Sequence, residues 1–352
     1  MSKTKLNFES LGNDLDTLAQ RATNQNDKEY SESVQLIQGK GACKSSIAKR
    51  PRKKFITQKL VLALIDVAKK NGDIEWEKRY WNAWHCQNVI TTHNGRGYGH
   101  YCDNRFCLVC VAIRKAKMIN KYKPEIMSWS NPHFLTLTVK AQPNSNLQKW
   151  MDGMIEAMTK IRKRCQKRYE RETGPKLKLI KSLECNFNPQ KQTYNPHFHI
   201  LTESKEIAEV IKSEWCKLWT PTFALPYLQK IRKVKDTEKD LIETIKYGAK
   251  LFTDPTMKKG KSKKKDHIIY AAGLHEIYKA MNGRHLFGSM GFKLSKETKT
   301  STTSKLVIDF KEWYFDTHTA MYVDTQTGQV MKDFVPDEEL ESILNRINIE
   351  HS

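Results

Sequence analysis

Apolar positions along the chain change their period several times, and those changes mark out its elements. From Thr57 to Trp81 a rhythm of Leu60, Leu62, Leu64, Ile65, Val67 and Ala68 predicts a helix that stops near Asn71-Gly72, where a glycine cap is typical. The period drops to two in Phe134-Leu135-Thr136-Leu137-Thr138-Val139, a strand with one buried face that ends at Gln142-Pro143-Asn144-Ser145. Leu147, Trp150, Met151, Met154, Met158, Ile161 and Cys165 recur at three- and four-residue intervals. They predict an amphipathic helix with a basic outer face and a methionine stripe in the core. Leu177 to Phe187 and Tyr194 to Thr202 read as strands joined through Asn188-Pro189-Gln190-Lys191-Gln192, a hairpin with a loop longer than the tightest types.

Further on, helical patterns cover 204 to 219 and Glu238 to Phe252, the second behind a cap at Asp236 or Thr237, with a short basic strand or loop at 226 to 235 between them. Six lysines from Lys258 to Lys265 form an exposed loop suited to phosphate contacts. A helix beyond Gly273 leads to Asn282-Gly283-Arg284 and to Gly288-Ser289-Met290-Gly291-Phe292-Lys293, where glycine lets backbone approach a ligand closely. From Leu306 the pattern alternates as strands around a turn at Thr325 to Gln329, then becomes helical near Asp337 to Ile347. Residues 1–55 are polar, with no acid after Glu32 and a basic second half. They read as a flexible arm, either phosphate-seeking or simply solvated.

Composition narrows the partners. The 352 residues carry 61 Lys+Arg against 39 Asp+Glu, a net charge of +22, so a polyanion is expected and nucleic acid comes first. No apolar run of about 18 residues and no charged-then-apolar leader occurs, so a soluble cytoplasmic protein with no membrane partner is expected. The absence of GxxxxGK[ST] argues against a P-loop motor. Eight cysteines without a secretory signal favour metal or reduced thiols over disulfides. Cys86, Cys102, Cys107 and Cys110 could close a tetrahedral structural Zn²⁺ site, with His85, His93 and His100 as rival ligands and buried reduced thiols as the alternative. Cys43, Cys165, Cys185 and Cys216 are scattered singly. Arg96, Arg105, Arg114, Lys115 and Lys117, interleaved with Tyr98, Tyr101 and Phe106, suit phosphate contact and base stacking.

Two groups carry candidate chemistry. His197 and His199 flank Phe198 on a strand, so both imidazoles share a face. Glu184, at comparable depth in the other hairpin arm, is the candidate third ligand of a Mg²⁺ or Mn²⁺ site that would polarise a phosphoryl oxygen, or else an exposed strand glutamate. Glu243, Tyr247 and Lys250 fall on one face of the 238–252 helix. A phenol can attack phosphorus, a carboxylate can activate water and a lysine can stabilise the anionic intermediate. The plainer reading is an interfacial tyrosine beside a surface charge pattern.

Taken in order, Phe134 to Val139, Pro196-His197-Phe198-His199-Ile200-Leu201 and Glu243 to Lys250 resemble the three motifs of rolling-circle plasmid replication initiators in the HUH endonuclease superfamily. Cys102 to Cys110 and Gly283-Arg284 to Lys293 extend the resemblance over roughly residues 80 to 295. It implies an α+β fold in which a central antiparallel sheet is flanked by helices, with a Cys-rich zinc-binding segment preceding or inserted. The implied domains are a basic arm at 1–55, a helix plus Cys-rich segment at 56–120, a nicking-joining domain at 121–300 and accessory strands and helix at 301–352. It also implies that His197 and His199 bind the metal and that Tyr247 attacks DNA at the double-strand origin, leaving a 5′-phosphotyrosine and a 3′-hydroxyl primer. Glu243, four residues before the only tyrosine of the motif, resembles the glutamate that activates water at termination. Single-stranded or hairpin DNA is the implied substrate in a bacterial cytoplasm, with host helicase and polymerase as partners and a homodimer left open. Two rivals stand beside this reading: a transposase or mobilisation relaxase of the same superfamily, and a non-catalytic zinc-dependent DNA-binding regulator.

Overall fold

The computed structural model describes residues 50–93, 96–245, 248–249, 269–294 and 311–331, with 338, 341, 344–345 and 347 near the C-terminus. In chain order the elements are α1 (Arg50–Lys70), α2 (Ile74–His85), β1 (Val89–His93), β2 (Arg96–Gly99), α3 (Leu108–Met127), β3 (His133–Thr138), α4 (Leu147–Glu170), β4 (Leu179–Asn188), β5 (Thr193–Thr202) and α5 (Lys205–Leu218). There follow β6 (Lys230–Lys233), α6 (Thr237–Thr244), β7 (Gly248–Ala249), α7 (Ala271–Met281), β8 (Phe287–Met290), β9 (Lys311–Asp316), β10 (Met321–Asp324) and β11 (Val330–Met331). No described helix is long and apolar enough to cross a membrane. The chain forms two compact units: 1–62 with 78–110 and 298–342, and 63–77 with 111–297 and 343–352.

The first unit is built on a five-stranded sheet in the order β11-β10-β9-β1-β2, antiparallel throughout. Trp313, Phe315 and Tyr322 fill its core, and the Tyr322 hydroxyl donates to the Gln87 carbonyl at 2.6 Å. The turn at Thr325 to Gln329 forms as the sequence predicts, closed by Asp324, whose Oδ1 accepts from the backbone of Gln326 and Thr327, each at 2.8 Å. One expectation changes at the start of this unit. Arg50, Arg52, Lys53 and Lys54, read as the end of a basic arm, are the first turns of α1, and Lys54 is fully buried. Its ammonium is solvated by the carbonyls of Trp84 and Cys86 (2.7 Å to the latter), and burial lowers its pKa to about 8.

The second unit carries a six-stranded sheet, β6-β3-β5-β4-β7, with β8 also paired to β4. All pairings are antiparallel except the two-residue β4–β7 pair. Strand alternation gives this sheet two distinct faces. Leu135, Leu137, Leu183, Cys185, Phe187, Phe198 and Ile200 pack against Met151, Met154, Met158 and Ile161 of α4, Ile207, Ile211 and Trp215 of α5, and Ile277 and Met281 of α7. The methionine stripe is therefore core. Phe134, Ile180 and Leu201 on the other face meet Tyr122 and Ile126 of α3 and Leu241 and Ile245 at the end of α6. The buried Glu214 of α5 accepts from Arg168 at 2.8 Å and Arg164 at 3.0 Å of α4; burial pushes its pKa up, but the arginines outweigh that and hold it below the usual carboxylate value.

Local signals account for most boundaries. Gly72, at φ +71, ends the first helix where the glycine cap was expected. Ser204 and Asp236 cap α5 and α6, their side chains accepting from the backbone of Ile207 and Lys239. The helix expected over Glu238 to Phe252 stops early, at Thr244. Leu241 and Ile245 are its last buried anchors, and the chain then joins the edge of β4 as β7, exchanging helical bonds for sheet bonds at Gly248–Ala249. The lysine cluster at 258–265 lies outside the described residues. The close approach expected at the glycine stretch is made to the protein's own backbone: Gly291, at φ +86, leaves only 1.7 Å between a Cβ position and the Leu177 carbonyl oxygen.

Two outcomes follow. Gly291→Ala is expected to destabilise by at least about 2 kcal/mol, whereas Gly288→Ala, where a Cβ meets nothing within 4 Å, leaves the denaturation midpoint nearly unchanged. Equal behaviour of the two variants in urea melts contradicts the packing at Gly291. His275, fully buried on α7, holds Asp73 at 2.8 Å, and burial lowers its pKa below the usual 6.5. Below about pH 6.5 the unfolded chain therefore binds a proton that the folded one refuses, and stability falls as pH falls. In urea melts at a series of pH values His275→Gln flattens that slope; an unchanged slope removes His275 from the account.

Candidate functional site

The hairpin register assembles the first cluster. Glu184 on β4 pairs directly with His197 on β5, and His199 pairs with Ser182 two residues along, so all three side chains share the face opposite the α4 core. Glu184 Oε2 lies 4.0 Å from His197 Nε2 and 3.7 Å from His199 Nε2, and the three ligand atoms fall within 4.8 Å of one another. A divalent ion bound at about 2.1 Å allows two of its ligands to stand at most about 4.2 Å apart, which both Glu–His distances satisfy. The donor set, two imidazoles and one carboxylate, therefore fits a metal.

The surroundings prepare His197 for that use. Its Nδ1 lies 3.0 Å from the Asn195 carbonyl, so Nδ1 carries the proton and Nε2 presents its lone pair toward Glu184. Burial lowers its pKa, opposed by the Asn195 carbonyl and the Glu243 carboxylate, which keeps the imidazole neutral near pH 7. Glu243, half-buried near the end of α6, is thus within electrostatic reach of the cluster. Tyr247 and Lys250 lie outside the described residues. The helical face expected to join Glu243, Tyr247 and Lys250 does not exist as one element, because α6 ends at Thr244. β7 instead sets Gly248 in register with Glu184.

Sequence reasoning missed the support behind His199. The Phe134 ring stands 5.3 Å from the His199 ring, and the Arg232 guanidinium lies 4.4 Å over Phe134. Arg232 is held in a fork by Asp240 of α6, at 2.8 and 2.5 Å. The apolar start of the Phe134 strand was a usable signal; the Arg232–Asp240 pair, eight residues apart in a basic stretch, offered none.

The second cluster lies in the first unit and gathers Cys86, Cys102, Cys107 and Cys110 within 4.8 Å. Cys86 and Cys110 Sγ are 3.5 Å apart, Cys102 and Cys110 Sγ 3.7 Å, too far for disulfides. Four sulfurs at about 2.3 Å from a central zinc stand about 3.8 Å apart, so both spacings fit a tetrahedral ion. Hydrogen bonding among the sulfurs, first from Cys107, holds the Cys102 thiol well below its usual pKa, while the bond with Cys102 pushes Cys86 up. The rival ligands His85 and His100 are exposed and outside this cluster. Phe106, read as a base-stacking residue, is buried against the Tyr80 ring at 4.8 Å and belongs to the core. Metal analysis of the purified protein is expected to find one zinc per chain, and Cys102→Ser or Cys110→Ser to lose it together with thermal stability. Full zinc content in both variants assigns the metal elsewhere.

Comparison with known proteins places the chain in a family. A family model described as "Replication protein" matches residues 97–324, a span that holds Glu184, His197, His199, Glu243 and three of the four clustered cysteines. A "Protein rep" from a Bacillus species is 29% identical over 159 residues, covering 41% of this chain and 50% of that protein. The "Protein rep" of Staphylococcus aureus is 28% identical over 179 residues, covering 46% and 74%. That of Bacillus amyloliquefaciens is 29% identical over 147 residues, covering 39% and 42%, so the chain spans about half the length of the first two Bacillus relatives. No solved structure matches. With the model spanning well over half of its length, the chain belongs to the replication protein family.

Proposed function

We propose that this protein initiates rolling-circle replication of a plasmid by nicking one strand at the double-strand origin through Tyr247. The observation that carries the reading is the row Gly248–Glu184–His197 across three strands. Tyr247 directly precedes Gly248 in the sequence, so the proposed nucleophile is one residue along the chain from the row that contains Glu184 and His197. The net charge of +22 supports a DNA partner.

A Mg²⁺ or Mn²⁺ ion held by His197, His199 and Glu184 would polarise the scissile phosphate as a Lewis acid. In the nicking step the Tyr247 phenol oxygen bonds to phosphorus and the P–O3′ bond breaks. The phenolic proton ends on the departing oxygen, giving a 5′-phosphotyrosine and a 3′-hydroxyl from which a host polymerase extends. Lys250 offsets charge on the phosphotyrosine. At termination Glu243 takes a proton from water, the water oxygen bonds to phosphorus and the phosphotyrosine ester breaks, with a proton returned to Tyr247. Single-stranded or extruded hairpin DNA suits this site, since a duplex offers its phosphate poorly to such a nucleophile, and a host helicase extends the opening. The four-cysteine cluster serves as a structural zinc site.

Supercoiled DNA bearing the candidate origin, incubated with Mn²⁺, tests the reading. Wild type is expected to give open circles and a covalent protein–DNA adduct, and Tyr247→Phe to lose both by at least about a thousandfold. Chelation and His199→Ala suppress nicking, and added Mn²⁺ restores it only to the wild type. Glu243→Gln nicks but accumulates adduct. A Tyr247→Phe protein that still forms the adduct would falsify the assignment of the nucleophile.

A further inference from the structure

Two of the three buried Lys and Arg side chains among the described residues stand one helical turn apart on α1: Arg50, 8% exposed, and Lys54, fully buried. Among the described residues no carboxylate pairs with either. Arg50 donates to the neutral Gln87 Oε1 at 3.3 Å, and Lys54 donates to the carbonyls of Trp84 and Cys86. Like charges at this spacing repel each other. Burial without a counter-charge raises the cost further. The two carbonyls lie at the C-terminal end of α2, where a cation is favourable, and that accounts for Lys54 taken by itself. It does not account for a second buried cation, since one helix end supplies only about half a negative charge.

The missing negative charge is at hand in the four-cysteine cluster of the same unit. Cys86, whose carbonyl accepts from the Lys54 ammonium at 2.7 Å, supplies one of the four sulfurs, and Gln87, which accepts from Arg50, is the next residue. The rings of Trp84 and Phe315 lie 5.9 and 5.8 Å from that ammonium. In such surroundings charges act on one another more strongly than in water. Burial lowers the Lys54 pKa to about 8, and the cysteines, Cys86 foremost, draw it back up. A divalent ion held by four thiolates leaves two net negative charges. Arg50 and Lys54 carry two positive ones.

We propose that Arg50 and Lys54 are the counter-cations of the four-cysteine metal centre, favouring its sulfurs as thiolates and making retention of the metal depend on the first turns of α1. The proposal rests on the reading of that cluster as a zinc site. Neither side chain is a ligand; both are positioning residues that act on the metal through the charge of its ligands. The same balance separates a metal centre from four buried neutral thiols, which would leave both cations without a partner.

The test uses the full chain loaded with zinc, with a chromophoric chelator competing for the metal. Arg50→Gln and Lys54→Met are each expected to weaken zinc binding by about 10- to 100-fold. Arg50→Lys, which keeps the charge, and Arg52→Gln, which removes an exposed cation of the same turn, hold the wild-type affinity. Arg50→Gln, which alters one neutral contact, carries the test if Lys54→Met does not fold. A second readout separates charge from support. With Co²⁺ in place of zinc, loss of a nearby positive charge is expected to move the thiolate-to-cobalt charge-transfer band to longer wavelength, whereas loss of a side chain that only supports the fold leaves the band in place. Wild-type protein that takes up neither ion on thiolates overturns the zinc reading and the proposal with it. Metal-loaded wild type beside variants of unaltered affinity and band leaves the zinc reading standing and overturns the counter-cation role. Weaker binding with an unmoved band, or an equal loss in Arg50→Lys, overturns that role too, because packing alone then explains the loss.

Discussion

The register of the β4–β5 hairpin is the constraint from which the rest of the second unit's sheet follows. Ten consecutive pairs, from Leu179 with Thr202 to Asn188 with Thr193, fix it. A slip of one residue would turn Glu184 into the α4 core and bring Leu183 and Phe187 out to the face that holds His197 and His199. The apolar cost of that exchange enforces the register: Leu183, Cys185, Phe187, Phe198 and Ile200 are all buried on the face that meets α4 and α5. Packing on one side of the sheet thus fixes the geometry of Glu184, His197 and His199 on the other. The Glu184–His197–His199 cluster needs no dedicated scaffold.

Buried charge is handled in three ways within a chain of strongly positive sign. Lys54 is met by two backbone carbonyls. Glu214 is met by two arginines that join α4 to α5. Both solutions draw on groups of the protein itself, and removing one partner of a buried charge costs more than the pair contributes. Lys181 is the exception, since a ring face and a like charge do not complete its surroundings.

Much of this was legible in the sequence because it rests on local pattern. The Phe134 strand, the α4 methionine stripe, the hairpin around Asn188 to Gln192 and the caps at Gly72 and Asp236 are readable from period and turn chemistry alone. The pairing of Glu184 with His197 was accessible as comparable depth from a turn, without the register itself. Non-local contacts were not legible. Lys54 looks like tail charge until its carbonyl acceptors from Trp84 and Cys86 are known, and Phe106 looks like a stacking residue until Tyr80 covers it. Likewise nothing in the Gly288 to Lys293 stretch says that the close neighbour of Gly291 is Leu177.

The early end of α6 bears on the proposed reaction, in which two attackers would share one phosphate. On one continuous helix Glu243 and Tyr247 would be a single rigid turn apart, and any movement of one would carry the other. Instead Glu243 sits on a helix anchored by Leu241 and Ile245, whereas Gly248, on the far side of Tyr247, is bonded to β4. Glu243 and the residue that follows Tyr247 thus belong to different supports, helix and sheet. A reaction in which the phenol attacks first and a carboxylate-activated water attacks later needs two approaches to the same phosphorus from different directions. In the proposed reaction, separate supports for Glu243 and Gly248 would suit those two approaches, while Glu184, His197 and His199, fixed by the register, would hold the metal beside the phosphate.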